Sequence, residues 1–186
     1  MSIDPVEQKT WLDRCLAGDR NSQRKLYESF YGKMLGVCLR YAKDMDQAKD
    51  MLQDGFIKVF NSLDRFNHNG SLEGWIRRIM VNTAIDHIRR DKRSLVLSQS
   101  EELIDQGMDL EDDPHEEDEE EISLTMTHVV EAMQHLSPGY KAVFNLYVME
   151  DMTHKEIAET LGISEGTSKS NLAKAKKKLK QILLNS

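Results

Sequence analysis

Three sets of polar side chains in this chain are spaced so that they could act together. The first lies in THKEIAETLGISEGTSKSNLAKAKKKLK, Thr153–Lys180, where Thr167, Lys169, Ser170 and Asn171 are followed by Lys174, Lys176, Lys177, Lys178 and Lys180. Lysine ammonium groups neutralise phosphate as point charges, while short hydroxyl and amide arms hydrogen-bond base edges. The second set is Arg78, Asn82, Arg89 and Arg93. At ~100° per helical residue these four fall within a sector of roughly 60°, a stripe able to follow a phosphate backbone, with Asn82 able to meet a base. The third is Asp50, Gln53 and Asp54, two carboxylates and an amide on one helical face, suited to docking on a basic partner. Taken singly, each set also fits a solvated helix face. Catalytic constellations are missing: no nucleophile–base pair, metal cluster or phosphate-cradling glycine loop stands out. The run Glu116–Glu121 beside His115 lacks a turn glycine at calcium-loop spacing and reads as solvated acid. The chain is therefore expected to be no enzyme, with no metal and no cofactor.

The elements that position these groups are helices. Thr153 and Glu156 form a T-x-x-E capping box, so a helix should begin at His154, with Ile157, Ala158 and Leu161 inward. Gly162 ends it, and Ser164 caps a second helix whose Leu172, Ala175, Leu179, Ile182 and Leu183 keep helical spacing. Two helices joined by a glycine turn, the second cationic, read as a helix-turn-helix. Its second helix should enter a major groove N-terminus first. That brings Thr167, Lys169, Ser170 and Asn171 nearest the bases and leaves Lys174, Lys176, Lys177 and Lys178 for phosphate. Ser137-Pro138 opens the helix before this motif.

Upstream, Lys9–Leu16 reads as a short amphipathic helix, and Asn21 or Ser22 as the cap of the next. Asp44 or Asp46 starts a third helix, and Ser71 caps a long fourth one that ends near Arg93. No stretch alternates at period two, so no sheet is expected. The turn-rich break Phe66-Asn67-His68-Asn69-Gly70-Ser71 precedes the fourth helix, where backbone N–H groups favour phosphate. Asn67, His68 and Asn69 could surround an unstacked base, and Trp75, at a core-type position, is assigned stacking beside them.

The formal charge of −7 suits a nucleic-acid binder only once its distribution is considered. Glu101–Glu121 holds thirteen acids and no Lys or Arg, so the remainder of the chain carries +6. Residues 94–121 lack periodicity and cannot bury enough apolar surface to offset ordering, so they read as a flexible acidic linker. The fold class is all-α: helical domains at 1–93 and 122–186, joined by 94–121. The 28 residues of this tether reach ~95 Å fully extended, more than the ~35–70 Å between DNA sites one to two turns apart. Cys15 and Cys38, alone and among apolar residues, suit buried thiols in a reducing compartment. No apolar run approaches the ~18 residues of a membrane span, and MSIDPVEQKT has no signal-peptide core. A cytoplasmic protein with no membrane insertion is expected.

Four stretches in this order resemble bacterial RNA polymerase sigma factors of the extracytoplasmic-function group. QAKDMLQDGFIKVF (47–60) resembles the segment that docks on the polymerase clamp. SLEGWIRRIMVNTAIDHIRRDKR (71–93), with W-x-x-x-I and N-x-x-x-D-x-x-R, resembles the −10-element helix. LSPGYKAVFNLY (136–147) resembles the entry to region 4, and Thr153–Lys180 its −35 reader. The resemblance implies core polymerase, promoter DNA and an anti-sigma factor as partners. It assigns Asp50, Gln53 and Asp54 to the clamp. The −10 element falls to Asn67, His68, Asn69, Ser71, Trp75, Arg78, Asn82, Arg89 and Arg93, and the −35 element to the polar residues of the last helix. It also implies that the linker follows the RNA path of the polymerase. Two positions depart from the pattern: Ser168 stands where an apolar residue is usual, and Asn171 where arginine is frequent. A buried Ser168 hydroxyl is expected to bond back to a carbonyl such as that of Ser164. A free-standing helix-turn-helix regulator and a two-domain helical adaptor are the rival readings. Dependence of promoter-specific transcription on core polymerase separates them.

Overall fold

A computed structural model of the chain describes residues 5–67, 70–98 and 126–184. Among them every regular element is helical. The elements are α1 (Pro5–Leu16), α2 (Arg20–Leu39), α3 (Met45–Asn61), a 3-10 turn at Leu63–Arg65, α4 (Leu72–Ser98), α5 (Met126–Gln134), α6 (Pro138–Val148), α7 (His154–Leu161) and α8 (Glu165–Leu184). They form two compact units, Met1–His87 and Ile88–Ser186. The fourth helix continues to Ser98, past its expected end near Arg93, and residues 99–121 of the expected linker lie outside the described residues.

In the first unit, local chemistry sets the helix starts. Gly18, at φ +81°, turns the chain out of α1. Asp19, rather than Asn21 or Ser22, then caps α2, because its carboxylate reaches the N–H groups of both and the Ser22 hydroxyl at 2.6 Å. That hydroxyl bond holds the Asp19 carboxyl below its ordinary pKa. Asp44 caps α3 by accepting from Gln47 N–H at 2.8 Å. Ser71 caps α4 by accepting from Gly74 N–H at 3.0 Å. Each such cap contributes about 1 kcal/mol.

The apolar faces of α2, α3 and α4 meet around Leu26, Met34, Met51, Leu52, Ile76 and Met80, all sealed from solvent. Gly55 allows α3 to approach α4 closely, since a Cβ there would collide with Met80 Sδ. Cys15 and Cys38 are buried free thiols, and burial raises the Cys38 pKa to about 12.

The second unit packs α5, α6 and α7 on α8. Ala132, Met133 and Leu136 meet Ala175 and Leu179, with Tyr140, Phe144, Ile182 and Leu183 at the margin. Ser137 precedes Pro138 at the start of α6, but its side chain makes no cap bond. The capping box of Thr153 and Glu156 is complete in both directions, and Gly162 ends α7 in the left-handed region at φ +66°. Lysine 141 is almost fully buried on α6, where its Nζ donates to Gln134 Oε1 at 3.0 Å and burial pushes its pKa down.

Candidate nucleic-acid interface

On α4 the buried positions Ile76, Met80, Ala84 and Ile88 define one side of the helix. Arg78, Asn82 and Arg89 are all exposed. Arg93 lies on the same helix, but its side chain is outside the described residues, as are His68 and Asn69. Asn67 and Ser71 are exposed at the entry to α4, and the Ser71 oxygen is occupied by its cap bond. The Trp75 ring is half-buried and packs at 51° against Phe66, with centroids 5.6 Å apart. Part of its surface therefore belongs to the fold.

Two polar pairs tie α4 to α3. His87 Nε2 lies 2.9 Å from Asp54 Oδ2, and Lys58 Nζ donates to Asp86 Oδ2 at 2.9 Å. Asp50 and Gln53 are exposed on α3, but the Asp54 carboxylate is already engaged by His87. The proposed docking trio thus separates into two solvent-facing groups and one that also positions α4. Sequence reasoning missed this pairing because helical spacing identifies a face, not the side chain that reaches it from another helix.

On α8, Thr167 and Lys169 are exposed, while Ser170 and Asn171 are half-buried. Ser164 accepts from Thr167 N–H at 3.0 Å, and the two hydroxyls are 2.8 Å apart, which secures the first turn. Asn171 lies beside α6: its Nδ2 would be 3.8 Å from a Cβ at Gly139. Lys176, Lys177 and Lys178 are exposed and Lys174 is half-buried. Three consecutive lysines span ~200° of helix, so they cannot all meet one phosphate backbone.

Ser168 is fully buried, as its place at the helix crossing requires. Its hydroxyl meets His154 Nδ1 of α7 at 2.9 Å, and the Ser164 carbonyl where the back-bond was expected accepts from the Ser168 backbone N–H at 3.0 Å. Tyr147 of α6 stacks on the same imidazole, with centroids 4.8 Å apart. A histidine at the first position of a helix gives no periodic signal of such a role.

Among the described residues no group of three or more His, Cys, Asp or Glu is placed to hold a metal ion. None of their helices is long and apolar enough to cross a membrane.

The family model for sigma-70 region 2 matches residues 26–94, and that for sigma-70 region 4 matches residues 128–179. The chain is 27% identical to the ECF RNA polymerase sigma-E factor of Haemophilus influenzae, over 93% of each protein. It is 26% identical to the RNA polymerase sigma-H factor of Pseudomonas aeruginosa, over 92% of this chain and 91% of that one. Its identity to the RNA polymerase sigma factor YlaC of Bacillus subtilis is 28%, over 90% and 95%. The solved structure of the sigma factor RpoE with the anti-sigma factor NepR, from Bartonella quintana, aligns at TM-score 0.49 and 20% identity, covering 86% of this chain and 95% of that one. With both regions present in order, the chain belongs to the sigma-70 family and its extracytoplasmic-function group: it binds core RNA polymerase, recognises −35 and −10 promoter elements and promotes melting of the DNA.

Proposed function

We propose that α4 reads and holds the −10 element while the N-terminal half of α8 reads the −35 element. The observation carrying this reading is the exposed Arg78, Asn82 and Arg89 stripe on a helix anchored from its buried side. Guanidinium groups on that stripe neutralise phosphate, and the Asn82 amide hydrogen-bonds an exposed base edge. The turn before α4 receives an unstacked base, with Asn67 at its rim. On α8, Thr167, Lys169, Ser170 and Asn171 meet base edges, and Lys174, Lys176, Lys177 and Lys178 are divided between the phosphates of the two strands that flank the groove. Asp50 and Gln53 dock on the polymerase clamp, with Asp54 contributing through its edge while it holds His87.

In this reading the functional domains are 1–93 and 122–186, with 94–121 as the acidic tether between them. The chain supplies recognition rather than catalysis and works in the cytoplasm, where its polymerase is. An anti-sigma factor is its further protein partner, as membership of the group implies.

The test is run-off transcription from a promoter selected out of random DNA, with core polymerase, this protein, or both. Promoter-specific product only with both supports the reading. Equal product from core alone, or specific DNA binding that transcription does not require, refutes it in favour of a free-standing regulator.

A further inference from the structure

Three helices of the second unit meet on one imidazole. His154, the first residue of α7, stacks on Tyr147 near the end of α6, with ring planes 24° apart and centroids 4.8 Å apart. Its Nδ1 lies 2.9 Å from Ser168 Oγ of α8. Ser168 is fully buried at the crossing of α7 and α8. An apolar residue there would seat α8 by contact area alone, which tolerates small rotations. A buried hydroxyl must instead find its partner within hydrogen-bond distance and direction. The stacked ring is held from a third helix, so the bond selects one rotational setting of α8.

That setting matters because Thr167 and Lys169 flank Ser168, and Ser170 and Asn171 follow within one turn. Side chains end ~6 Å from a helix axis, so a rotation of ~20° would move their tips by ~2 Å. Displacements of that size abolish a base-edge hydrogen bond but leave a flexible lysine able to follow a phosphate. We propose that His154, braced by Tyr147, is a specificity-positioning residue: through Ser168 it fixes the rotation of α8 and hence which −35 bases are read. This rests on the assignment of α8 to the −35 element.

The experiment uses holoenzyme assembled from full-length protein and core polymerase, on a promoter library randomised at −35 with a constant −10 element. Enrichment among transcripts is compared for wild type, His154→Leu, His154→Asn and the double variant His154→Leu/Ser168→Ala. A flat wild-type profile would overturn the −35 assignment itself. Given a wild-type preference, His154→Leu should reduce discrimination between best and scrambled −35 sequences about tenfold, the worth of roughly one base pair. Its output from scrambled −35 sequences should stay unchanged. Asparagine places an amide atom where Nδ1 stands, so His154→Asn should recover most of the discrimination. An unaltered preference in His154→Leu, or no recovery in His154→Asn, overturns the proposal. If His154→Leu fails to fold by circular dichroism, the double variant decides. It leaves neither the imidazole nor the Ser168 hydroxyl, and a wild-type profile from it refutes positioning by hydrogen bond.

Discussion

Replacing Gly55 with alanine sets two known effects against each other at the crossing of α3 and α4. Alanine inside a helix is favoured over glycine by about 1 kcal/mol. At this site, however, the new methyl would collide with Met80 Sδ and lie 3.0 Å from Met80 Cε, and Met80 is fully buried. Overpacking of that kind costs about 1–3 kcal/mol. The net expectation is a destabilisation of about 1 kcal/mol, within a range from near zero to about 2.

Urea unfolding followed by tryptophan fluorescence isolates the effect. Trp11 and Trp75 are the only tryptophans of the chain, and both belong to the first unit. With a slope of ~1.5 kcal/mol per molar urea, the midpoint should fall by ~0.7 M. Met80→Ala alone should cost about 2–5 kcal/mol through its cavity. In the Gly55→Ala background it should cost about 1–2 kcal/mol less, because the new methyl occupies part of that cavity and the collision disappears. A Gly55→Ala protein that is more stable by the whole helix-propensity gain, or strict additivity in the double variant, would refute the argument.

Asp50→Ala should weaken core binding while leaving the first unit's urea midpoint within about 0.5 kcal/mol of wild type. Asp54→Ala should lower both, because His87 also loses its partner at 2.9 Å; an unchanged midpoint would exclude the positioning role. Arg78→Ala or Asn82→Ala should reduce permanganate reactivity of unpaired promoter thymines several-fold with core affinity retained, and equal losses in both measurements would count against the −10 assignment. Asn171→Arg should steepen the dependence of log affinity on log salt by up to ~0.9, for one added phosphate contact. No change in slope would leave residue 171 engaged with α6 near Gly139. The Glu156 carboxyl is held below its ordinary pKa first by the Thr153 hydroxyl and then by the Thr153 N–H. Its stabilising contribution is therefore complete above ~4.3 and is lost as pH falls through the lower folded value. The melting-temperature gap between wild type and Glu156→Gln should close on acidification; a gap as wide at acid as at neutral pH would be the contrary result.

The features legible in the sequence were those decided within one or two turns. The capping box of Thr153 and Glu156, the left-handed Gly162 and the caps at Ser71 and Ser164 all depend on neighbours close in the chain, and of the two candidates Asp44 and Asp46 the structure selects Asp44. Apolar spacing likewise identified the buried faces of α7 and α8, at Ile157, Ala158 and Leu161 and at Leu172, Ala175 and Leu179, because periodicity and burial are the same geometric statement. The cap of α2 was misread by two or three residues, since Asn21 and Ser22 are good caps in general. Only the turn at Gly18 makes Asp19 the residue whose carboxylate faces their N–H groups. The start of α1 at Pro5 was missed because proline at a first turn extends a helix without adding to its apolar stripe. Asn171 lies half-buried beside Gly139, 32 positions away in the chain, which no window of local spacing contains.

The least legible contacts share a physical pattern. His87 of α4 meets Asp54 of α3, and His154 of α7 meets Ser168 of α8, each at 2.9 Å. In both units, then, a helix assigned to DNA recognition is joined to its supporting helix by an imidazole contact. Apolar ridges packed in grooves permit a helix to slide or turn slightly at little cost, because many arrangements bury nearly the same area. A directional polar bond across the same crossing removes most of those arrangements. For a protein whose base contacts must be placed to a fraction of an ångström, that restriction matters more than the modest net stability such a bond contributes, about 1 kcal/mol. Loss of either imidazole should accordingly damage promoter discrimination before it damages the fold.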